Sequence, residues 1–186
     1  FELTKSEVTV AQYRVCVAAD ACTAPLEGNY LQTNRDDHPI NFVSWVQAKQ
    51  FASFVGARLP SESEWEYAAV NLNLATTHPW GNADFDCSVA NANNCTSDTE
   101  PVCSYPETSG LCDLAGNVWE WLEDQYHPNY DGAPTDGRPW VDSSSLQRVI
   151  RGGAFNVTAR RSSARVDHLQ NNATQNMGFR LARTLA

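Results

Sequence analysis

From Thr76 to Gly110 the chain shows no helical or strand periodicity and is instead rich in Asn, Asp, Ser, Thr, Pro and Cys. So long an irregular run is unusual in a compact domain unless something staples it. Disulfides and bound cations are the available staples. Six cysteines fall in three close pairs, Cys16 with Cys22, Cys87 with Cys95, and Cys103 with Cys112. Sequence leaves their connectivity open, local pairing being the simplest choice, and no pair has the Cys-x-x-Cys spacing of a zinc or redox site. Disulfides imply an oxidising compartment, so the expected location is extracytoplasmic: secreted, periplasmic or at the cell surface. No charged-then-apolar leader opens the chain at Phe1, so a signal peptide is expected to lie outside this sequence.

At 186 residues the chain is read as one domain, 1–186, long enough to bury its own core. Six Trp, six Tyr and seven Phe against one Met point to a core of rigid aromatics. The net charge of -9 argues against nucleic acid as a partner, because phosphate binding needs a basic surface. Membrane insertion is also not expected, since no apolar run approaches the roughly 20 residues that span a bilayer. Oligomeric state is not readable from these features.

Three helices carry start signals. Thr9 with Gln12 forms a capping box ahead of Val10 to about Ala19. Ser44 with Gln47 opens a helix whose Trp45, Ala48, Phe51, Ala52 and Val55 share a stripe, stopped by Gly56. Ser61 with Glu64 opens a third, followed by Trp65, Ala68 and Ala69. The acids Glu62, Glu64 and Glu66 are expected on a capped, solvated face. A loop is expected from His127 to Ser145. Strands are expected at Arg148–Arg151, before Gly152-Gly153, and at Gly178–Ala182. The fold class is therefore α+β, loop-rich, with little regular secondary structure.

The stretch Leu111 to Trp121 places carboxylates at Asp113 and Glu120 around Gly116, between hydrophobic anchors. Calcium takes six to eight oxygens from carboxylates and backbone carbonyls, and a tight turn with acids at both ends can supply them. The same acids could instead cap backbone amides in the turn. Trp119 and Trp121 are read as core.

In order, the chain carries Glu7-Val8-Thr9 with Gln12-Tyr13, His38-Pro39-Ile40-Asn41, Val43-Ser44-Trp45, Arg58 through Ala69, Pro79-Trp80-Gly81-Asn82, Gly116 to Trp121, Arg151-Gly152-Gly153-Ala154-Phe155, and Gly178-Phe179-Arg180. This series resembles the formylglycine-generating enzyme (sulfatase-modifying factor) domain family over almost the whole chain. The resemblance implies a fold related to C-type lectins. It also implies that the chain is a fragment of a longer one, because the family usually starts with a further upstream strand. A calcium cofactor is implied, held by the Asp113 and Glu120 side chains and the Gly116 and Val118 carbonyls. The family's other calcium site falls near Asn91 and Ala92, with Asn94 and Asp98 as further candidates.

In the family, oxidation of a substrate cysteine to formylglycine rests on two copper-binding cysteines shortly after Arg-Gly-Gly. Here Val157 stands at the first position, and no cysteine follows Cys112. Val offers neither a copper ligand nor a nucleophile, so that activity is not expected. The four histidines, His38, His78, His127 and His168, form no metal-ligand pair by spacing.

Between Arg-Gly-Gly and Gly-Phe-Arg the family builds its substrate groove. Here that segment, Asn156 to Asn176, is polar and Asn-rich. The expected work of the chain is non-catalytic recognition of a protein or peptide ligand. The expected contacts are Asn156, Thr158, Arg160, Arg161, Arg165, Asp167, His168, Asn171, Asn172 and nearby Trp140. An ordinary solvated loop is the plain alternative. A second alternative is a hypervariable ligand-display protein of a diversity-generating retroelement. Such lectin-like proteins vary in this region, and apart from Gln170 and Gln175 its residue types are Asn or types reached by adenine mutation of Asn codons. A metal-dependent oxidoreductase of the same family, using an unrecognised metal, is a third. A purely structural module of a larger assembly is a fourth.

Overall fold

The computed structural model describes residues 1–72, 75–142 and 145–185. Ser143 and Ser144, within the expected His127–Ser145 loop, lie outside the described residues. All three expected helices form, α1 (Val10–Ala18), α2 (Trp45–Phe54) and α3 (Glu62–Ala69), each behind the capping box read from the sequence. In α1 the Gln12 backbone N–H donates to Thr9 Oγ1 at 3.3 Å and the Thr9 N–H donates to Gln12 Oε1 at 2.9 Å. Two orphan amides at the helix start are thereby satisfied reciprocally.

Among the described residues there are six strands: β1 (Glu2–Leu3), β2 (Trp119–Gln125), β3 (Gln147–Arg151), β4 (Val166–Leu169), β5 (Met177–Gly178) and β6 (Ala182–Arg183). The four-stranded sheet runs β4-β3-β2-β5, with β2–β3 and β3–β4 antiparallel and β2–β5 parallel. β1 and β6 pair separately, which brings residues 2 and 183 together. The expected strand Gly178–Ala182 is therefore corrected: its two ends pair with different partners and the middle leaves the sheet. β4 lies inside the segment that the sequence presented only as polar surface, because its half-buried pattern gives no clean alternation.

β2 is buried on both faces. Its Trp119 and Trp121 join a core of Tyr13, Phe51, Ile150 and Phe179 beneath α1 and α2. Its Leu122 turns to the other side, with Val149, to meet Trp65, Ala68 and Ala69 of α3. The period-two alternation of a strand thus ties two helical layers to one sheet. Trp119 and Trp121 are core, as read.

The irregular run from Thr76 to Gly110 contains no helix or strand among its described residues. Its polar backbone is tied instead to the neighbouring chain, as where Val102 N donates to Asp37 O at 2.9 Å and Asn29 Nδ2 to Thr99 Oγ1 at 2.9 Å. The disulfides are Cys16–Cys22, Cys87–Cys95 and Cys103–Cys112, the local pairing. Such short closed loops each contribute about 2–3 kcal/mol in the chain-entropy account. No helix of the described residues is long and apolar enough to cross a membrane.

Candidate functional site

The Leu111–Trp121 turn runs through the middle of the molecule. Asp113 and Asn117 take positive φ, and Gly116 has φ 82. A Cβ on Gly116 would sit 2.2 Å from the Asn91 carbonyl oxygen, so only glycine allows this approach. Asn117 N donates to Asn91 O at 2.8 Å and Asn91 bridges Gly116 in parallel fashion. The two stretches expected to hold cations, Asn91–Ala92 and Asp113–Glu120, are thus brought side by side.

Glu120 is fully buried and receives three donors. Arg180 Nε reaches its Oε2 at 2.6 Å, Arg180 Nη2 its Oε1 at 2.8 Å, and Trp65 Nε1 its Oε2 at 2.9 Å. A third carboxylate, Glu7, completes the cluster. It accepts from Asn117 Nδ2 at 2.9 Å and Val118 N at 3.2 Å, and is 1% exposed. Asp113 Oδ2 accepts from Cys103 N at 2.7 Å. Arg180 is the cation that acts on all three, paired with Glu120 and near Glu7 and Asp113, so with every acid ionised the buried group would carry two negative charges more than it neutralises. Burial pushes Glu7 well above the ordinary carboxylate range, and Asp113 and Glu120 push it further. Burial also raises Asp113. A buried charge of this kind is neutralised by a proton or by a cation.

The all-oxygen chemistry and the surplus charge fit a hard cation. No three acidic, His or Cys side chains converge as ligands among the described residues, so a cation here would draw on backbone carbonyls and share Glu120 with Arg180. The Asn91 set is more fully engaged. Asn91 Oδ1 accepts from Thr96 Oγ1 at 2.8 Å, Ala92 O accepts from Cys95 N at 2.9 Å, and Asp98 Oδ2 meets Arg35 Nη2 at 2.7 Å.

A second buried ion network holds the other side of α3. Arg151, with no exposed surface, donates through Nε to Glu62 Oε1 at 2.9 Å and through Nη2 to Glu66 Oε2 at 2.7 Å. Arg165 Nη2 donates to Glu62 Oε2 at 2.9 Å and its Nη1 to His127 O at 2.7 Å. The solvated face expected for these acids is corrected: Glu62 is 5% and Glu64 8% exposed. The cations that bury Glu62 come from β3 and from the loop before β4, more than eighty residues away in sequence, whereas Glu64 is held by Arg58, whose Nη1 and Nη2 each donate to it at 2.6 Å. Tyr130 Oη donates to Glu62 Oε1 at 3.1 Å, and burial first, then Glu62, pushes its hydroxyl up to about 12.

Beside this network Asp124 receives Trp140 N and Glu62 N, each at 2.8 Å, and burial raises its carboxyl to about 6. Trp140 stacks flat on His127, centroids 3.6 Å apart, and walls a cavity of about 590 Å³ with Pro134 and Pro139.

The residues expected to touch a ligand divide into groups. Thr158, Arg160, Arg161 and Asn171 are exposed. Asn156 Oδ1 accepts from Asn176 Nδ2 at 2.9 Å, and Asn172 Nδ2 lies 3.2 Å from His168 Nδ1, within a half-buried polar strip. Asp167 accepts from Gln147 Nε2 across β3 and β4. Arg165 is a strut rather than a free contact, with its guanidinium 4.7 and 4.6 Å from the Tyr126 and Tyr130 rings.

The profile of the sulfatase-modifying factor enzyme 1-like domain matches residues 1–185. The chain belongs to that family. It is 34% identical over 169 residues to the formylglycine-generating enzyme of Streptomyces coelicolor, covering 81% of this chain and 54% of that protein. It is also 32% identical over 160 residues to the Bos taurus protein named inactive C-alpha-formylglycine-generating enzyme 2, covering 78% and 50%. The chain thus spans about half the length of these relatives. Among solved structures, PvdO from Pseudomonas aeruginosa superposes with TM-score 0.84 at 26% identity, over 98% of this chain and 80% of that one. Treponema denticola variable protein 1 shares the fold, with TM-score 0.73 at 20% identity over 96% and 82%.

In this sulfatase-modifying factor domain, Val157 packs half-buried against the main core. All six cysteines are in disulfides. Sequence reasoning used Glu7 only as a motif opener and missed its place in the buried cluster; its one signal was an acid flanked by core residues. It also missed the Arg151 and Arg165 struts, for which no local pattern exists.

Proposed function

We propose that the chain is a non-catalytic recognition domain of the sulfatase-modifying factor type, which binds a protein or peptide through the surface from Asn156 to Asn176. The observation that carries this reading is Val157 at the first copper-ligand position, in a family scaffold matched over residues 1–185 whose cysteines are all paired. A relative named as inactive supports it. The three disulfides support an extracytoplasmic location. Incubating the protein with copper and a cysteine peptide is expected to leave the peptide unchanged. Formylglycine product, or stoichiometric copper or iron on metal analysis, would instead establish the oxidoreductase alternative.

Calcium is part of the proposal. It would be held by Asp113, Glu120 and the Gly116 and Val118 carbonyls, with Asn91 and Ala92 forming a second, weaker set. Three buried carboxylates around the single guanidinium of Arg180 support the first set. Chelation is expected to lower the melting temperature, because a ligand of the native state must stabilise it. An unchanged melt removes the calcium assignment and leaves the recognition reading intact.

A second reading, a diversified ligand-display protein, draws on the residue types of segment 156–176 and on the fold shared with Treponema denticola variable protein 1. Resequencing codons 150–180 in a population of the source organism decides between the two. Variation confined to adenine-derived positions supports display, and an invariant stretch supports a fixed partner.

A further inference from the structure

We infer that the loop from Thr158 to Arg161, backed by the stacked His78–Trp80 pair, is where an acidic segment of a peptide partner docks. This rests on the recognition reading above and narrows it to one end of that surface. Of the 13 basic side chains in this net -9 chain, all but Arg148, Arg160 and Arg161 face a carboxylate among the described residues. Arg148 is half-buried, 3.9 Å from the centroid of the Trp45 ring, with Nη1 donating to Glu123 O. Arg160 and Arg161 are adjacent and exposed, and neither guanidinium has a partner among the described residues. A protein that pairs its other exposed cations internally leaves two side by side with their donors unspent.

Their backbone is nevertheless held. Ala159 N donates to Asn93 Oδ1 at 2.8 Å on one side, and Ser162 N donates to Thr77 O at 2.9 Å on the other. His78 Nδ1 meets Arg160 O at 3.1 Å, and because a carbonyl only accepts, that nitrogen carries the proton. The imidazole lies flat on Trp80, centroids 4.4 Å apart, and Trp80 Nε1 donates to Ala83 O at 3.1 Å. A pinned backbone that presents two guanidinium forks has little ordering entropy left to lose on binding. Each fork matches a carboxylate through two parallel hydrogen bonds. The ligand is a short acidic peptide segment rather than a polyanion. Two or three carboxylates meet the arginine pair alone, whereas a continuous chain of anionic groups would also meet the repulsion of the acidic remainder.

The test uses fluorescence anisotropy with a labelled octapeptide of alternating Glu and Gly, and its Gln and Lys counterparts, at low salt. The Glu peptide is expected to bind more tightly than the other two and to weaken as salt is raised. The double variant Arg160→Glu/Arg161→Glu is expected to lose at least about tenfold in affinity. Arg160→Gln/Arg161→Gln is expected to lose less, and Arg183→Ala, which removes a cation already paired with Glu2, to lose nothing. Equal binding of the Glu and Gln peptides, undiminished binding by the double variant, or a sulfated polysaccharide bound more tightly than the Glu peptide overturns the inference. A parallel selection from displayed random peptides separates the two levels. Binders without acidic residues overturn this inference alone, whereas an absence of binders overturns the recognition reading on which it rests.

Discussion

The molecule buries two ion networks, and their balance differs. Around Arg151 and Arg165, two guanidiniums meet Glu62 and Glu66, and the charges cancel. Around Arg180, one guanidinium meets Glu120 while Asp113 and Glu7 lie close by, so three carboxylates stand against one cation. The balanced network is a clamp. It ties α3, β3, the His127 loop and the start of β4 together with no further requirement. The unbalanced network cannot rest as drawn with all its acids ionised, because an unpaired buried carboxylate costs several kcal/mol. It takes up a proton or a cation, and so couples the fold to the solution. A balanced and an unbalanced network are thus built from the same residue types, distinguished only by count.

Breaking each guanidinium separately gives the largest contrast. Arg151→Met leaves Glu62 and Glu66 without their shared partner and is expected to cost about 3–5 kcal/mol in urea denaturation. Arg180→Met leaves three acids together and is expected to cost more. If Arg180→Met proves the milder of the two, the cluster is neutralised by something other than Arg180 and the contrast fails.

Calcium sharpens the same contrast at a smaller scale. At a hundred times its dissociation constant, a native-state ligand contributes about 2.7 kcal/mol. That corresponds to a rise of roughly 5–10 °C in a domain of this size. The rise is expected to vanish in Asp113→Ala and to persist in Glu66→Gln, which touches only the balanced network. Scanning calorimetry with and without chelator checks both.

Asp124, at the edge of the balanced network, contributes to the pH dependence alongside the raised Glu7 and Asp113. Its folded carboxyl is raised to about 6, chiefly by burial, against an ordinary value near 4. The native state therefore binds more protons than the unfolded state between these values. Its contribution is fully present below about pH 4 and is lost as pH rises through about 6, a change of about 3 kcal/mol. His38 and His168, both lowered by burial, work in the opposite direction, so the wild type shows a sum. The difference between wild type and Asp124→Asn isolates the carboxyl. A difference flat from pH 4 to pH 7 would assign the slope elsewhere.

The smallest effect is expected at Glu7. Because its surroundings already favour the neutral acid, Glu7→Gln without calcium is expected to change stability by no more than about 1 kcal/mol. Glu62→Gln, which removes a charge two arginines use, is expected to cost about 2–3 kcal/mol. Equal losses in denaturation would mean that Glu7 is ionised and balanced after all.

Local chemistry was legible where it acts over a few residues. A capping box needs two side chains three positions apart, and all three form where Thr9, Ser44 and Ser61 place them. The short-range cysteine pairs close as neighbours in the chain would. The family series was legible too, since the whole domain answers to it. The acids of α3 were not. Nothing within the helix tells that Glu62 will be buried by Arg151 and Arg165, and the same letters on another fold would make a solvated face. Strand β4 was missed because half-buried edge strands carry little alternation. Arg165 could not be separated from Arg160 and Arg161 in a polar stretch, although one is a strut and the others are free.

By itself, then, the sequence determined the class of fold, the helix starts, the irregular middle with its disulfide staples, and the absence of any cysteine after Cys112. Each depends on which residue stands where, or on partners close along the chain. Which charges are buried, which acids share a cation, and which arginines stay unpaired among the described residues were decided only by the tertiary structure. Those properties depend on desolvation and on contacts between residues that the chain path alone does not bring together.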